Sequence, residues 1–255
     1  MSRVAAPRIV LVMLVLAVLA CSPIPSLPNP QSIAGTAAAG AASTAAAAVG
    51  AGLVGTPPAF TPVPTAAWDP GSYLPARIDQ KALTLNSATT PGSDGAFYGP
   101  ILSLQVTNPG SKDVLTTIPC GLIFKPDNTD EQRLMVIQPL SATIRAGKSS
   151  ELKPYVICID DGKHAPATNA TYQIGTMASG DLLKLAACVC GQPLTFRTDL
   201  PREFGLQFAV WHTSDPEFPG NLSSSPFGPT IQPFINIGLA ITNGYLSSCG
   251  LPLIK

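Results

Sequence analysis

Short apolar stretches alternate with turn residues at intervals of roughly ten positions through the middle of the chain. Two of the turns are the segments 108–110 (Asn-Pro-Gly) and 146–148 (Ala-Gly-Lys). The pattern predicts strands over 78–85, 101–106, 113–118, 122–124, 134–138, 141–144 and 150–159. Because short strands at this spacing are typical of antiparallel sandwiches, we predict an immunoglobulin-like β-sandwich over residues 77–160.

The second half of the sequence shows helical spacing of its apolar residues instead. It predicts one helix over 180–190, which begins beside Asp181, and a second over 201–211, where Pro201 suits the first turn. The segment 214–233 is rich in Pro, Gly and Ser and predicts a loop. The apolar segment 234–246 fits either a buried strand or a helix.

These patterns together predict a β-rich (α+β) protein with two parts in its folded region. The sandwich over 77–160 is followed by a mixed α/β segment over 161–255 that packs on it.

The N-terminal segment has the layout of an export signal. Arg3 and Arg8 precede an apolar run over 9–20, which is shorter than the ~20 residues that a membrane-spanning helix needs. The run ends in Val-Leu-Ala-Cys, which resembles the lipobox of bacterial lipoproteins. That resemblance implies removal of residues 1–20 and attachment of lipid to Cys21. The alternative is an ordinary secretory signal cleaved near Ala20, with Cys21 incidental.

Residues 21–67 have the composition of a tether. Positions 34–55 are almost entirely Ala, Gly, Ser and Thr, and four prolines stand on either side of them. Prolines disfavour the interiors of helices and sheets, and the alanine block has no amphipathic pattern that would dock it on a core. We predict a disordered spacer between a membrane and the folded region.

Composition excludes several classes of function. Only 12% of the residues are charged and the formal net charge is zero, so no basic face for nucleic acid is indicated. No Gly-rich phosphate loop occurs, and the two histidines stand in no recognised zinc spacing. We therefore predict no cofactor and no metal ion.

The number of cysteines left to pair within the chain depends on whether Cys21 carries lipid. If Cys21 carries lipid, five remain in an oxidising compartment, so at least one is free or in other chemistry. Cys188 and Cys190 are too close in sequence for an easy mutual disulfide, and we expect each to reach elsewhere. The cysteine connectivity stays open at this point.

Two short segments carry a family resemblance. The first is Tyr-Val-Ile-Cys-Ile-Asp over 155–160, and the second is Leu-Gln-Phe-Ala-Val-Trp-His-Thr-Ser-Asp over 206–215. Together they resemble the thioester domains of bacterial surface adhesins, although Leu206 stands where threonine is usual. The resemblance implies that the Cys158 sulfur is joined to the side-chain carbonyl of Gln207, in a bond that an amine can open.

The resemblance also implies roles for the neighbouring residues. Trp211 lies one helical turn from Gln207 and would shield the bond from water, and His212 would assist proton transfer to an incoming amine. If the thioester forms, the disulfide candidates Cys120, Cys188, Cys190 and Cys249 can pair among themselves.

The predicted function is a lipid-anchored binding or adhesion module on the extracytoplasmic face of a bacterial membrane. Its partners would be the membrane, through the lipid, and an unidentified extracellular protein or surface ligand. One alternative is a cysteine hydrolase that uses Cys158 with His212 as base. Another is a purely structural envelope lipoprotein, in which Cys158, Gln207 and Trp211 are ordinary core residues.

Overall fold

The computed structural model describes residues 69–93, 96–190, 200–215, 218 and 228–254. The predicted signal segment, the predicted tether over 21–67 and the lipidation candidate Cys21 lie outside the described residues. Within the described part of the chain, no helix is long and apolar enough to cross a membrane.

The described residues form a β-rich fold with antiparallel sheets and a few helices. The strands are β1 (Thr84–Thr89), β2 (Tyr98–Gly99), β3 (Ser103–Thr107), β4 (Val114–Ile118), β5 (Leu122–Pro126), β6 (Leu134–Gln138), β7 (Leu140–Ile144), β8 (Ser149–Leu152), β9 (Tyr155–Cys158) and β10 (Tyr172–Met177). After one turn of 3-10 helix at Pro70–Ser72, the helices are α1 (Leu74–Asp79), α2 (Gly180–Val189), α3 (Leu200–Ser214) and α4 (Gly228–Ser248).

The strands are arranged in three sheets. One has the order β1-β3-β8, the second has the order β10-β5-β6-β9-β2, and the third consists of β4 and β7. Every strand pairing is antiparallel. Strand β10 comes from the segment 161–255, yet it forms one edge of the five-stranded sheet, beside β5.

The strand predicted over 78–85 is wrong, because its first residues are helical. Pro75 lies in the first turn of α1, where its fixed φ and missing N–H suit a helix. The chain leaves α1 through Lys81, whose φ is 58°, and the backbone N–H of Ala82 bonds the carbonyl of Arg77. Strand β1 therefore begins only at Thr84.

The single strand predicted over 150–159 is divided into β8 and β9. Pro154 lies between them and has no N–H to donate to a neighbouring strand. The chain changes sheets at this point: β8 pairs with β3, whereas β9 lies between β6 and β2. This change of sheet places Cys158 in the five-stranded sheet, one strand from its edge.

The segment 234–246, which fitted either a strand or a helix, lies within helix α4. The loop predicted over 214–233 is wrong for residues 228–233, which also belong to α4.

Helix α4 packs closely on α3 through two glycines. A Cβ atom on Gly205 would lie 2.8 Å from Cβ of Ile241, and one on Gly238 would lie 2.9 Å from Cε2 of Phe208. Thr242 adds a hydrogen bond from its hydroxyl to the Gly205 carbonyl, at 3.0 Å.

A continuous hydrophobic core joins the sheets to the helices. It includes Leu104 of β3, Phe124 of β5, Val156 of β9, Val210 of α3 and Leu246 of α4. Because α3 contributes to the same core as β9, the helix that carries Gln207 is held against the strand that carries Cys158.

Candidate functional site

Helix α3 faces the five-stranded sheet with a row of polar side chains. We call Glu203, Gln207, Trp211 and Ser214 the polar stripe of α3; they are spaced four, four and three residues apart, so they share one helix face. Each of them shares a hydrogen bond with a residue of β9 or with a residue within two positions of β9 or β6. A buried polar group is costly unless it is bonded, so these four bonds limit how α3 can lie.

The hydrogen bonds of the polar stripe align α3 with β9. Glu203 meets Tyr155 at the start of the strand, at 2.6 Å, and the Ser214 hydroxyl donates to the carbonyl of Ile159, just past the end of the strand, at 2.5 Å. Eleven residues of helix span about 16 Å, and four residues of strand span about 13 Å, so the two segments match in length. Gln207 is consequently held above the end of β9.

The structure brings Cys158 and Gln207 together. The Gln207 Nε2 atom donates a hydrogen bond to the backbone carbonyl of Cys158, at 2.7 Å. Cys158 is 0% exposed and Gln207 is 1% exposed. The Gln207 Oε1 atom is buried and has no hydrogen-bond partner among the described residues. The side-chain amide of Gln207 therefore contacts the backbone of Cys158 in a part of the molecule that is closed to bulk solvent.

The thiol of Cys158 lies in surroundings that favour its neutral form. Burial raises the pKa of the Cys158 thiol well above its usual range, and the nearby Asp160 carboxylate raises it further. Cys158 is the free cysteine among those described. A neutral, buried thiol is a weak nucleophile towards dissolved substrates, but it is protected from oxidants and from water.

An ion pair fixes the chain just after Cys158. The backbone N–H and the guanidinium of Arg133 both donate to the carboxylate of Asp160, with 2.9 Å between the backbone nitrogen and Oδ2. Burial raises the pKa of Asp160, but the bonds from Arg133 outweigh this effect and hold the pKa below its usual range. The end of β9 is thereby anchored to the residue that precedes β6.

Aromatic rings pack around Trp211, next to the cysteine–glutamine pair. The Trp211 ring lies 5.5 Å from that of Phe97, 6.0 Å from that of Phe208 and 5.7 Å from that of Phe218. The Phe97 carbonyl also accepts a hydrogen bond from the backbone N–H of Cys158, at 2.8 Å. Trp211 itself donates from Nε1 to Oε1 of Gln132, at 3.2 Å. This apolar cluster limits the access of water to the pair.

His212 does not share the helix face of Gln207. Five residues separate the two, which is about 140° around a helix. The hydrogen bond that His212 makes among the described residues joins Nδ1 to the carbonyl of Phe218, at 3.1 Å. In this arrangement His212 contacts the segment that follows α3. That segment contains Phe218, whose ring packs on Trp211.

Two disulfides contain the other four cysteines of the described region. Cys120 bonds Cys190 and Cys188 bonds Cys249, so the neighbouring cysteines at the end of α2 reach in different directions. The first bond ties α2 to the turn before β5, and the second ties α2 to the residue after α4. No group of three or more His, Cys, Asp or Glu side chains suited to a metal ion occurs among the described residues.

Sequence reasoning missed the polar partners of the site, namely Tyr155, Glu203, Gln132 and Ser214. The signal that would have found two of them is the spacing of the polar stripe itself. Glu203 and Ser214 extend the Gln207 and Trp211 positions by one turn in each direction, in a helix whose other residues over 204–210 are mostly apolar.

Comparison with known proteins gives no match: no family model, no curated protein and no solved structure is similar to this chain.

Proposed function

We propose that this chain is a lipid-anchored extracytoplasmic binding module that captures amines through a thioester between Cys158 and Gln207. The contact of these two residues in the interior supports the proposal most directly. Forming the bond requires the thiol and the amide to be held together with water excluded. The burial of both residues, and the hydrogen bond from the Gln207 amide to the backbone carbonyl of Cys158, support the proposal. The proposal includes an immunoglobulin-like arrangement of the sheets, which the antiparallel pairing supports.

The proposed reaction conserves atoms without any cofactor. The sulfur of Cys158 bonds to the side-chain carbonyl carbon of Gln207, the S–H and C–N bonds break, and the nitrogen leaves with the proton as ammonia. An amine from a surface partner then attacks the same carbon. The partner becomes joined to Gln207 through an amide bond, and the thiol of Cys158 is released.

Mass spectrometry of the full-length chain tests the thioester. We expect the peptides that contain Cys158 and Gln207 to be joined and lighter than their sequence by about 17 Da, the mass of ammonia. Methylamine should then add about 31 Da at Gln207 and make the Cys158 thiol available to iodoacetamide in the unfolded chain. A Cys158→Ala variant is the matched control, and it should neither lose ammonia nor incorporate methylamine.

The opposite result is equally definite. The thioester is rejected if two results are obtained with the wild-type chain. Its peptides show no loss of ammonia, and the Cys158 thiol of the unfolded chain reacts with iodoacetamide without prior treatment with methylamine. Gln207 would then serve to cap the Cys158 carbonyl, and the structural envelope lipoprotein would become the preferred function.

The anchor is a separate part of the proposal and has its own test. Cells that express the full-length chain are supplied with a clickable fatty acid, and we expect label on the wild-type protein and none on a Cys21→Ala variant. Label that persists on Cys21→Ala, with the variant still bound to membranes, would show that this residue is not the site of attachment.

The cysteine hydrolase has less support than the thioester. A hydrolase needs a thiolate that substrate can reach, whereas Cys158 is fully buried with a raised pKa. The base proposed for it, His212, bonds the Phe218 carbonyl through Nδ1.

A further inference from the structure

Gln132 is a buried amide whose hydrogen bonds reach three other parts of the molecule. It is 1% exposed. Its Nε2 atom donates to the carbonyl of Lys163 at 3.3 Å, and its Oε1 atom accepts from Nε1 of Trp211 at 3.2 Å. Its backbone carbonyl accepts from the Tyr172 hydroxyl at 3.1 Å, and its backbone N–H donates to the carbonyl of His164 at 3.0 Å. Gln132 therefore ties α3 and β10 to the turn that follows β9.

The partners of the Gln132 amide fix which way the amide faces. An indole N–H can only donate and a backbone carbonyl can only accept, so the oxygen must face Trp211 and the nitrogen must face Lys163. Trp211 is 3% exposed, and a buried donor is costly to leave without an acceptor. The indole and the amide therefore hold each other in one orientation.

Trp211 lies beside the cysteine–glutamine pair. It is one helical turn after Gln207, and its ring packs 5.5 Å from that of Phe97, whose backbone carbonyl accepts the N–H of Cys158. If the indole left Gln132, its ring would also leave this apolar cluster. The residue that holds the indole thus determines how often water can enter beside the pair.

We propose that Gln132 is a positioning residue, which holds the indole of Trp211 and so keeps the apolar cluster closed. It acts on the proposed bond through Trp211. The hold on the indole stands on the hydrogen bonds of Gln132, whereas its effect on the lifetime of the thioester rests on the proposed function. Loss of the hold speeds hydrolysis of the thioester, because water reaches the bond more often.

Exchange of the indole N–H with solvent measures this hold directly. The full-length chain labelled at tryptophan has two indole signals, and a Trp68→Phe variant identifies that of Trp211. We expect exchange about 10-fold faster in Gln132→Leu than in the wild-type chain, because leucine has a similar size and no acceptor for the indole. The measurement is made well below the melting temperature of each variant, so that local opening rather than global unfolding is observed.

The lifetime of the thioester tests the consequence for the site. In amine-free buffer we expect its half-life in Gln132→Leu to be shorter than in the wild-type chain by the same factor of about 10. Hydrolysis adds one water, about 18 Da, and leaves a thiol on Cys158 and a carboxylate in place of the Gln207 amide, so mass spectrometry follows it. A purely structural role of Gln132 predicts a lower melting temperature with no change in this half-life.

Asn108 supplies the matched control, because it is a second buried amide with similar bonds elsewhere in the fold. It is 0% exposed, and its Nδ2 atom donates to the carbonyls of Lys112 at 2.8 Å and Ile144 at 2.9 Å. We expect Asn108→Leu to lower the melting temperature and to keep the wild-type indole exchange and half-life. Equal acceleration in Asn108→Leu and Gln132→Leu overturns the proposal, because the effect would then belong to any buried amide.

The remaining outcomes separate this inference from the function on which it rests. Unchanged indole exchange in folded Gln132→Leu overturns the hold on Trp211. If that variant does not fold, Gln132→Asn replaces it, since asparagine keeps an amide but is shorter by one methylene group, and the same result overturns the proposal. Faster exchange with an unchanged half-life overturns the effect on the thioester. A wild-type chain with no loss of ammonia rejects the thioester, whereas faster exchange in Gln132→Leu would still support the hold on Trp211.

Discussion

Replacing both Cys120 and Cys190 with alanine is expected to lower the free energy of unfolding by about 4 kcal/mol. The bond joins residues 70 positions apart, and removing it frees a loop of that length in the unfolded chain. We expect the melting temperature to fall by about 10 °C, measured by calorimetry or circular dichroism on the full-length chain.

The second disulfide supplies a matched comparison. Cys188 and Cys249 are 61 positions apart, so their double alanine variant should lose a similar amount of stability. An unchanged melting temperature in both variants, or in the reduced wild-type chain, would contradict the expectation that these bonds restrain the unfolded state.

Replacing Trp211 with alanine is expected to cost about 3–5 kcal/mol of stability and to expose the cysteine–glutamine pair to water. The variant loses the ring contacts with Phe97, Phe208 and Phe218, and it removes the hydrogen bond to the buried side chain of Gln132. Denaturant unfolding measures the first effect. The second is measured as the half-life of the proposed thioester in amine-free buffer, which should shorten.

A Trp211→Phe variant separates the two contributions of the indole. It keeps an aromatic ring in the cluster and removes only the Nε1 donor, so we expect a smaller loss of stability, about 1–3 kcal/mol. The proposed thioester should last longer in this variant than in Trp211→Ala. A folded Trp211→Ala protein whose thioester is as long-lived as that of wild type would show that the ring does not protect the bond.

The roles of Trp211 and of the disulfides differ in what each restrains. The disulfides tie α2 to the turn before β5 and to the end of α4, which limits the unfolded chain more than it shapes the site. Trp211 lies on the polar stripe of α3, so its loss acts on the site directly. We therefore expect the disulfide variants, at temperatures where they remain folded, to form the proposed thioester to the same extent as the wild-type chain.

The sequence alone was sufficient to predict the helices and strands whose pattern of apolar residues is local. The strand predicted over 134–138 coincides with β6, and the helix predicted over 180–190 coincides with α2 to within one residue. The alternation or helical spacing of apolar residues determines these elements within a few positions of the chain. The prediction over 78–85 was wrong because the helix-forming start at Pro75 outweighed the apolar residues that follow it.

For the site, too, the sequence alone could predict only what depends on local spacing. The sequence by itself predicted a helix over 201–211 with Gln207 and Trp211 on one face, because that depends on helical periodicity alone, and the helix observed is Leu200–Ser214. Only the tertiary structure decided which residue each of them meets. Cys158 and Gln207 are 49 residues apart, and they come together because the chain changes sheets at Pro154 and α3 packs along β9. Periodicity carries no information about such distant partners, and it could not have paired Glu203 with Tyr155 or chosen the disulfide connectivity.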